Sequence, residues 1–173
     1  MIAWVIFGAG IAVSLYFSLR HKTPAVTELP DETPVSESPI MVARGDFTAR
    51  ITEFGRAVSI AEGFGEIGAI PTRYHNPGDL KPPDGSNNFW SGQTGVGTGG
   101  HAIFDSDASG FAALYRQIRL WQSGKSNVIF PYFTFEQAAR EYAENWQPWL
   151  ANVTRELGVK PTDTLGEYFD GKI

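Results

Sequence analysis

The chain contains no cysteine, which excludes a disulfide framework and thiolate catalysis. Histidine is scarce. His21, His75 and His101 lie far apart and none has metal-ligand spacing, so no metal site is expected. Positive charge is sparse too, with Lys+Arg 14 against Asp+Glu 19, a net charge of -5 and a pI near 5.2. Without a basic stripe or block to neutralise phosphates, no nucleic-acid partner is expected. The spacing Gly95-x-Gly97-x-x-Gly100 formally matches a dinucleotide fingerprint, but no βαβ unit surrounds it and no Lys-Ser/Thr follows it. It reads as a flexible hairpin tip, and no cofactor is expected.

What the chain does have is length for one core, with some to spare, and many aromatics. The hydrophobic share of 42% is ordinary, but the aromatic share of 13% is high, with Trp 5, Tyr 6 and Phe 12. Most of these rings are expected to fill the core, and a few to offer faces on which sugar rings stack.

Three regions follow from composition. Residues 1–19 carry no charged side chain and approach the roughly 20 residues that a membrane-crossing helix needs. They read as an uncleaved anchor in preference to a signal peptide, because a basic n-region and an A-x-A cleavage site are both missing. Residues 20–46 begin with a basic flank, Arg20 to Lys22, and continue as a linker. Pro24, Pro30, Pro34 and Pro39 alternate there with acidic and hydroxyl residues, a mixture too poor in apolar groups to offset ordering entropy. The basic flank places the carboxyl side weakly on the cytoplasmic face, a tension with any wall-degrading role that eases if the membrane belongs to a virus particle. Residues 47–173 read as a folded domain.

Within that domain the pattern is mainly α, with one small β-hairpin. Ile51, Phe54, Val58 and Ala61 recur at helical spacing, and Gly63 stops the helix. Asn76-Pro77-Gly78 predicts a type II turn, with Pro at the second position and Gly supplying positive φ at the third. The segment from Pro82 to Phe104 predicts a loop and a hairpin. Ser106 caps a helix marked by Phe111, Leu114, Ile118 and Trp121, and Thr134-x-x-Gln137 is a capping box. A last long helix around Trp149, Leu150, Val153 and Leu157 stops at Gly158. Leu165, Tyr168 and Phe169 form a closing turn or short helix.

The candidate chemistry sits at the end of the first helix. Glu62 occupies the last turn, where a carboxylate opposes the helix dipole, and Ile60 and Phe64 add desolvation. Both effects raise its pKa, as a proton donor to a glycosidic oxygen requires. Taken alone, a helical Glu is more often a solvated surface residue. Glu66, Asp79, Asp84 and Asp105 are all candidates for a second group, and spacing singles out none. Tyr142, Trp90 and Trp146 are candidates for sugar stacking, with core packing the competing reading for each. His75 reads as an exposed turn residue, and His101 as structural.

Several blocks together resemble a known family. Ala61-Glu62-Gly63-Phe64, the run from Arg73 to Lys81, the Gly-rich hairpin with Ala102-Ile-Phe104, Gly110-x-x-Ala-Leu114 and Leu157-Gly-Val159 are similar to the lysozyme-like, lytic-transglycosylase-like domains of phage virion proteins and lysins. The resemblance runs across roughly residues 47–169. It implies a mainly α (α+β) lysozyme-like fold acting on peptidoglycan glycan strands, with Glu62 as the catalytic acid. The familiar Asn-Asn-Pro-Gly-Asn pattern is here His75-Asn76-Pro77-Gly78-Asp79, so only Asn76 carries over as a substrate-binding position. Since the sugar's own 6-hydroxyl can attack, a lytic transglycosylase needs no second carboxylate, and that route is preferred to hydrolysis.

The expected protein is thus a single-pass membrane protein, anchored by residues 1–19 in a virion membrane or a bacterial inner membrane with its domain outside the cytoplasm. It would cleave the wall locally during genome entry. Further copies of the chain, or other virion components, are its expected protein partners. The alternative is a non-catalytic structural or glycan-binding virion protein that keeps the fold.

Overall fold

A computed structural model describes residues 41–83 and 89–173. The expected anchor, residues 20–40 of the linker, and Asp84 lie outside the described residues. Among the described residues, no helix is long and apolar enough to cross a membrane.

The domain is mainly helical with a small antiparallel sheet. In order come α1 (Met41–Ala61), α2 (Ile70–Arg73), β1 (Gln93–Val96), β2 (Ala102–Phe104), α3 (Asp107–Gln122), α4 (Phe135–Tyr142), α5 (Trp146–Leu157) and α6 (Leu165–Phe169). Helix α1 begins six residues before the expected domain boundary at Phe47. The last proline upstream is Pro39, so nothing between it and Phe47 blocks propagation of the helix towards its N-terminus.

Helix α1 is the central element, and it packs on α3, α5 and α6. The expected stripe is the buried face: Ile51, Phe54 and Val58 are fully inaccessible. Phe54 sits in an aromatic cage, edge-on to Trp121 at 6.0 Å, Phe135 at 5.8 Å and Phe169 at 5.6 Å, with Tyr168 tilted at 5.9 Å. Such pairs contribute about 0.5–1.5 kcal/mol each beyond the area they bury. Arg50 ties the end of the domain to this helix, donating from Nη1 to the Tyr168 carbonyl at 2.7 Å.

The caps form where the local sequence places them. Ser106 Oγ accepts from Ser109 N, and Thr134 and Gln137 complete a reciprocal capping box. Gly158 ends α5 at φ 68. A second capping box, Thr164 with Glu167, starts α6. The two boxes face each other: Phe135 N donates to Asp163 O, Leu165 N donates to Phe133 O, and Thr134 and Thr164 form an isolated bridge.

β1 and β2 pair with Gln93 opposite Phe104 and Val96 opposite Ala102. The sheet is fastened to the segment after α2, since Ala102 N donates to Leu80 O and Phe104 N to Tyr74 O. Helix α3 presses on the same segment. A Cβ at Gly110 would stand 1.9 Å from the His75 carbonyl oxygen, a distance that no side chain tolerates.

Candidate active site

The site is built from the C-terminal end of α1 and the turn at residues 75–80. Glu62 N still bonds to Val58 O, after which Gly63 turns into the left-handed region at φ 74. Gly63 N then donates to Ile60 O and Phe64 N to Ser59 O, the paired bonds of a Schellman motif. Glu62 is therefore the C-cap residue, and the chain leaves the helix immediately beyond it. Its side chain is partly exposed, so it is sheltered and still reachable.

The turn differs from the expected type II. Asp79 N donates to Asn76 O at 3.0 Å, closing the turn, but Gly78 is not at positive φ. The left-handed residues are His75 at φ 51 and Asp79 at φ 47, one on either side. Asp and His belong to the few non-glycine types that occupy this region readily. Gly78 is needed for space instead. A Cβ there would lie 2.8 Å from Leu114 Cδ1 and 3.2 Å from the Tyr142 hydroxyl.

Asn76 does not serve as the expected substrate ligand. It is fully buried, donating from Nδ2 to Leu80 O at 2.9 Å and to Ala102 O at 3.0 Å while Oδ1 accepts from Leu80 N at 2.9 Å. Its amide joins the turn to β2 and faces no solvent. Trp90 needs a similar correction. It is only 6% exposed, its Nε1 donates to Lys81 O, and the Arg116 guanidinium lies 5.6 Å from its ring, so it offers no free face to a sugar. Tyr142 does belong to the site, but as a strut. Its hydroxyl donates to Gly78 O, and its ring meets Trp121 edge-on and Trp149 at a tilt, both at 5.2 Å. Trp146 is covered on one side by Arg140 at 3.8 Å.

Around Glu62 the electrostatics favour the proton. Burial is the main cause and the charge of Asp79 the second, and together they push its pKa up to about 7. The indole of Trp149 opposes them in part. Its buried N–H makes no hydrogen bond of ordinary geometry, yet it lies close enough to the carboxyl to favour the ionised form. Burial, with the charges of Glu62 and Asp79, also holds the Tyr142 phenol well above its usual range.

Of the other described candidate acids, Glu66 is exposed, and Asp105 lies beside Ser109 and Ser106, whose hydrogen bonds lower its pKa. Among the described acids, Asp79 is thus the carboxylate that the fold brings to Glu62. His75 bonds to Asp107 on α3 and stays exposed, as expected of a turn histidine. Sequence reasoning passed over Trp149 and did not single out Asp79. The apolar spacing of Trp149 marks it as core, and nothing local distinguishes the indole that borders a carboxyl. Among the described residues, no cluster of His, Asp and Glu could hold a metal ion.

The raised pKa has a consequence for stability. An unfolded Glu releases its proton near 4.5, whereas folded Glu62 keeps it to about 7. The folded state therefore binds more protons in this window, and stability falls as pH rises from about 4.5 to 7. Allowing for the partial exposure of the group, the expected loss is about 1–3 kcal/mol. Urea unfolding at pH 5 and pH 8 should show this loss as a difference between the parent protein and Glu62→Gln, with the variant relatively more stable at pH 8.

No protein-family model, curated protein or solved structure matches this chain.

Proposed function

We propose that the domain has a lysozyme-like fold and cleaves the β-1,4 glycan strand of peptidoglycan, with Glu62 as the proton donor. One observation carries this reading: a reachable carboxyl at a helix end holds its proton to about pH 7, because burial and a neighbouring carboxylate disfavour its charge. The choice of substrate rests on the resemblance of the Ala61–Phe64 and Asn76–Gly78 blocks. It is supported by the meeting of these blocks at one place, where Tyr142 braces the turn and Glu62 and Asp79 act on each other.

In the first step Glu62 gives its proton to the leaving glycosidic oxygen while the C1–O bond breaks and an oxocarbenium-like centre develops. In the second, the ionised Glu62 takes a proton from the attacking hydroxyl. If the attacker is the sugar's own 6-hydroxyl, the product is an anhydro sugar. If it is water, the product is a reducing end. The first route is favoured because Asp79 is paired with His101, and among the described residues no second carboxylate beside Glu62 is free to direct a water. Anchored through residues 1–19 in a virion membrane, the domain would open the wall locally during genome entry.

The purified full chain should give a clearing band in a gel containing peptidoglycan, and mass spectrometry of the released fragments should find anhydro ends. Reducing ends would reassign the enzyme as a hydrolase. No clearing by folded protein would overturn the catalytic reading and leave the non-catalytic scaffold.

A further inference from the structure

Asp79 stands where the familiar turn pattern has Asn, and the turn that carries it is held from several directions. Its backbone is at φ 47, fixed by the bond from its own N–H to Asn76 O and by the bond from Leu80 N to the Asn76 side chain. Tyr142 holds the preceding carbonyl, that of Gly78. From the far side comes His101, whose Nδ1 is 2.9 Å from Asp79 Oδ1 and 3.0 Å from the Asp79 carbonyl oxygen. The ring N–H is directed at the carbonyl. Asp79 Oδ1 is therefore buried beside a donor without an aligned hydrogen bond. The His101 ring is itself set by Gly99, where a Cβ would stand 2.8 Å from Cδ2 and Nε2.

We propose that Asp79 and His101 form a positioning pair for the proton donor: His101 fixes the Asp79 carboxylate on the turn, and Asp79 acts through Glu62 and not on the substrate. Among the described residues, Glu62 at the end of α1 and Tyr142 on α4 face Asp79 with ionisable oxygens; burial raises the Asp79 pKa, and His101 and Lys81 act in the opposite sense. Trp149 on α5 brings a dipole and no charge. With Asp79 ionised, releasing the Glu62 proton would put two negative charges into one sheltered space, which extends the protonated form of Glu62 to higher pH. The link to catalysis rests on the function proposed above, whereas the pairing itself does not.

The test is a carbon-13 NMR titration of the Glu62 carboxyl in the full chain and in Asp79→Asn. Asn matches Asp in shape, tolerates positive φ and removes only the charge. Burial is the larger cause of the Glu62 displacement, so its midpoint should fall by about half a pH unit to one. The alkaline limb of kcat/KM should move down equally. A purely structural role for Asp79 would lower the rate at every pH without moving that limb. An unchanged Glu62 midpoint in folded Asp79→Asn overturns the proposal. Should that variant not fold, His101→Gln decides: the Asp79 midpoint must rise, and if it stays where it was the pairing is refuted. If the parent protein cleaves no wall material, the proposed function fails on its own while the titration still judges the pair.

Discussion

Glu62→Gln is expected to lower glycan cleavage by about 10²- to 10⁴-fold, the range that general acid–base catalysis supplies. Gln keeps the size of the side chain and can still donate a hydrogen bond, but it has no proton to give to the leaving oxygen. The loss should appear in kcat and leave binding of glycan fragments nearly intact, because the substitution removes an interaction made in the transition state. Folding offers no alternative explanation for such a loss. The ionised carboxyl is the form that the folded site disfavours, so the amide should be tolerated at least as well above pH 7. Activity in the parent protein should fall as pH rises through about 7, where Glu62 gives up its proton. A variant that clears peptidoglycan at the parent rate would move the chemistry to another residue.

Asn76→Ala should be the most damaging of these substitutions for stability, costing about 3 kcal/mol or more. The side chain is fully buried and makes three hydrogen bonds, joining Leu80 N, Leu80 O and Ala102 O. Its removal leaves buried backbone groups without partners, each at about 1–3 kcal/mol, although Leu80 O keeps its bond from Ala102 N. That is a large part of the roughly 5–15 kcal/mol that holds a typical domain together. Asn76→Asp should fare little better, since a carboxylate cannot donate to two carbonyls. Urea denaturation checks both variants, and a loss under about 1 kcal/mol for Asn76→Ala would show that the turn holds without its amide.

How far the chain could be read without the fold depended on the range of the interactions involved. Ile51, Phe54 and Val58 declare a helical face because their spacing alone determines it. Ser106, Thr134 and Gly158 declare helix ends because a cap is closed within a few residues. The place of Glu62 at the helix end was legible for the same reason, with its stop signal, Gly63, immediately beside it. Asn76 and Gly78 were misread because their reasons are distant. Whether an Asn in a turn points outward or inward depends on what lies beneath it, here Ala102 on β2. Gly78 is required by Leu114 and Tyr142, and the backbone angle expected from its turn motif is not the one it adopts. Asp79 could not be separated from three other acids until the fold brought His101 and Glu62 around it. Trp90 and Tyr142 show the limit of reading aromatics by type, since a ring that suits a sugar suits a core equally well.

The cage around Phe54 also sets a timetable. Arg50 and its partner Tyr168 are 118 residues apart in the chain, and the rings that enclose Phe54 come from α3, α4 and α6. At a synthesis rate of about 5–20 residues per second, α1 waits roughly 6–24 s after it is made before its last partners exist. Until α6 follows, its apolar stripe is covered only in part, by α3, α4 and α5 as each appears. Nascent chains halted before α6 should therefore remain clients of chaperones, and the domain becomes self-sufficient only when its final helix is released.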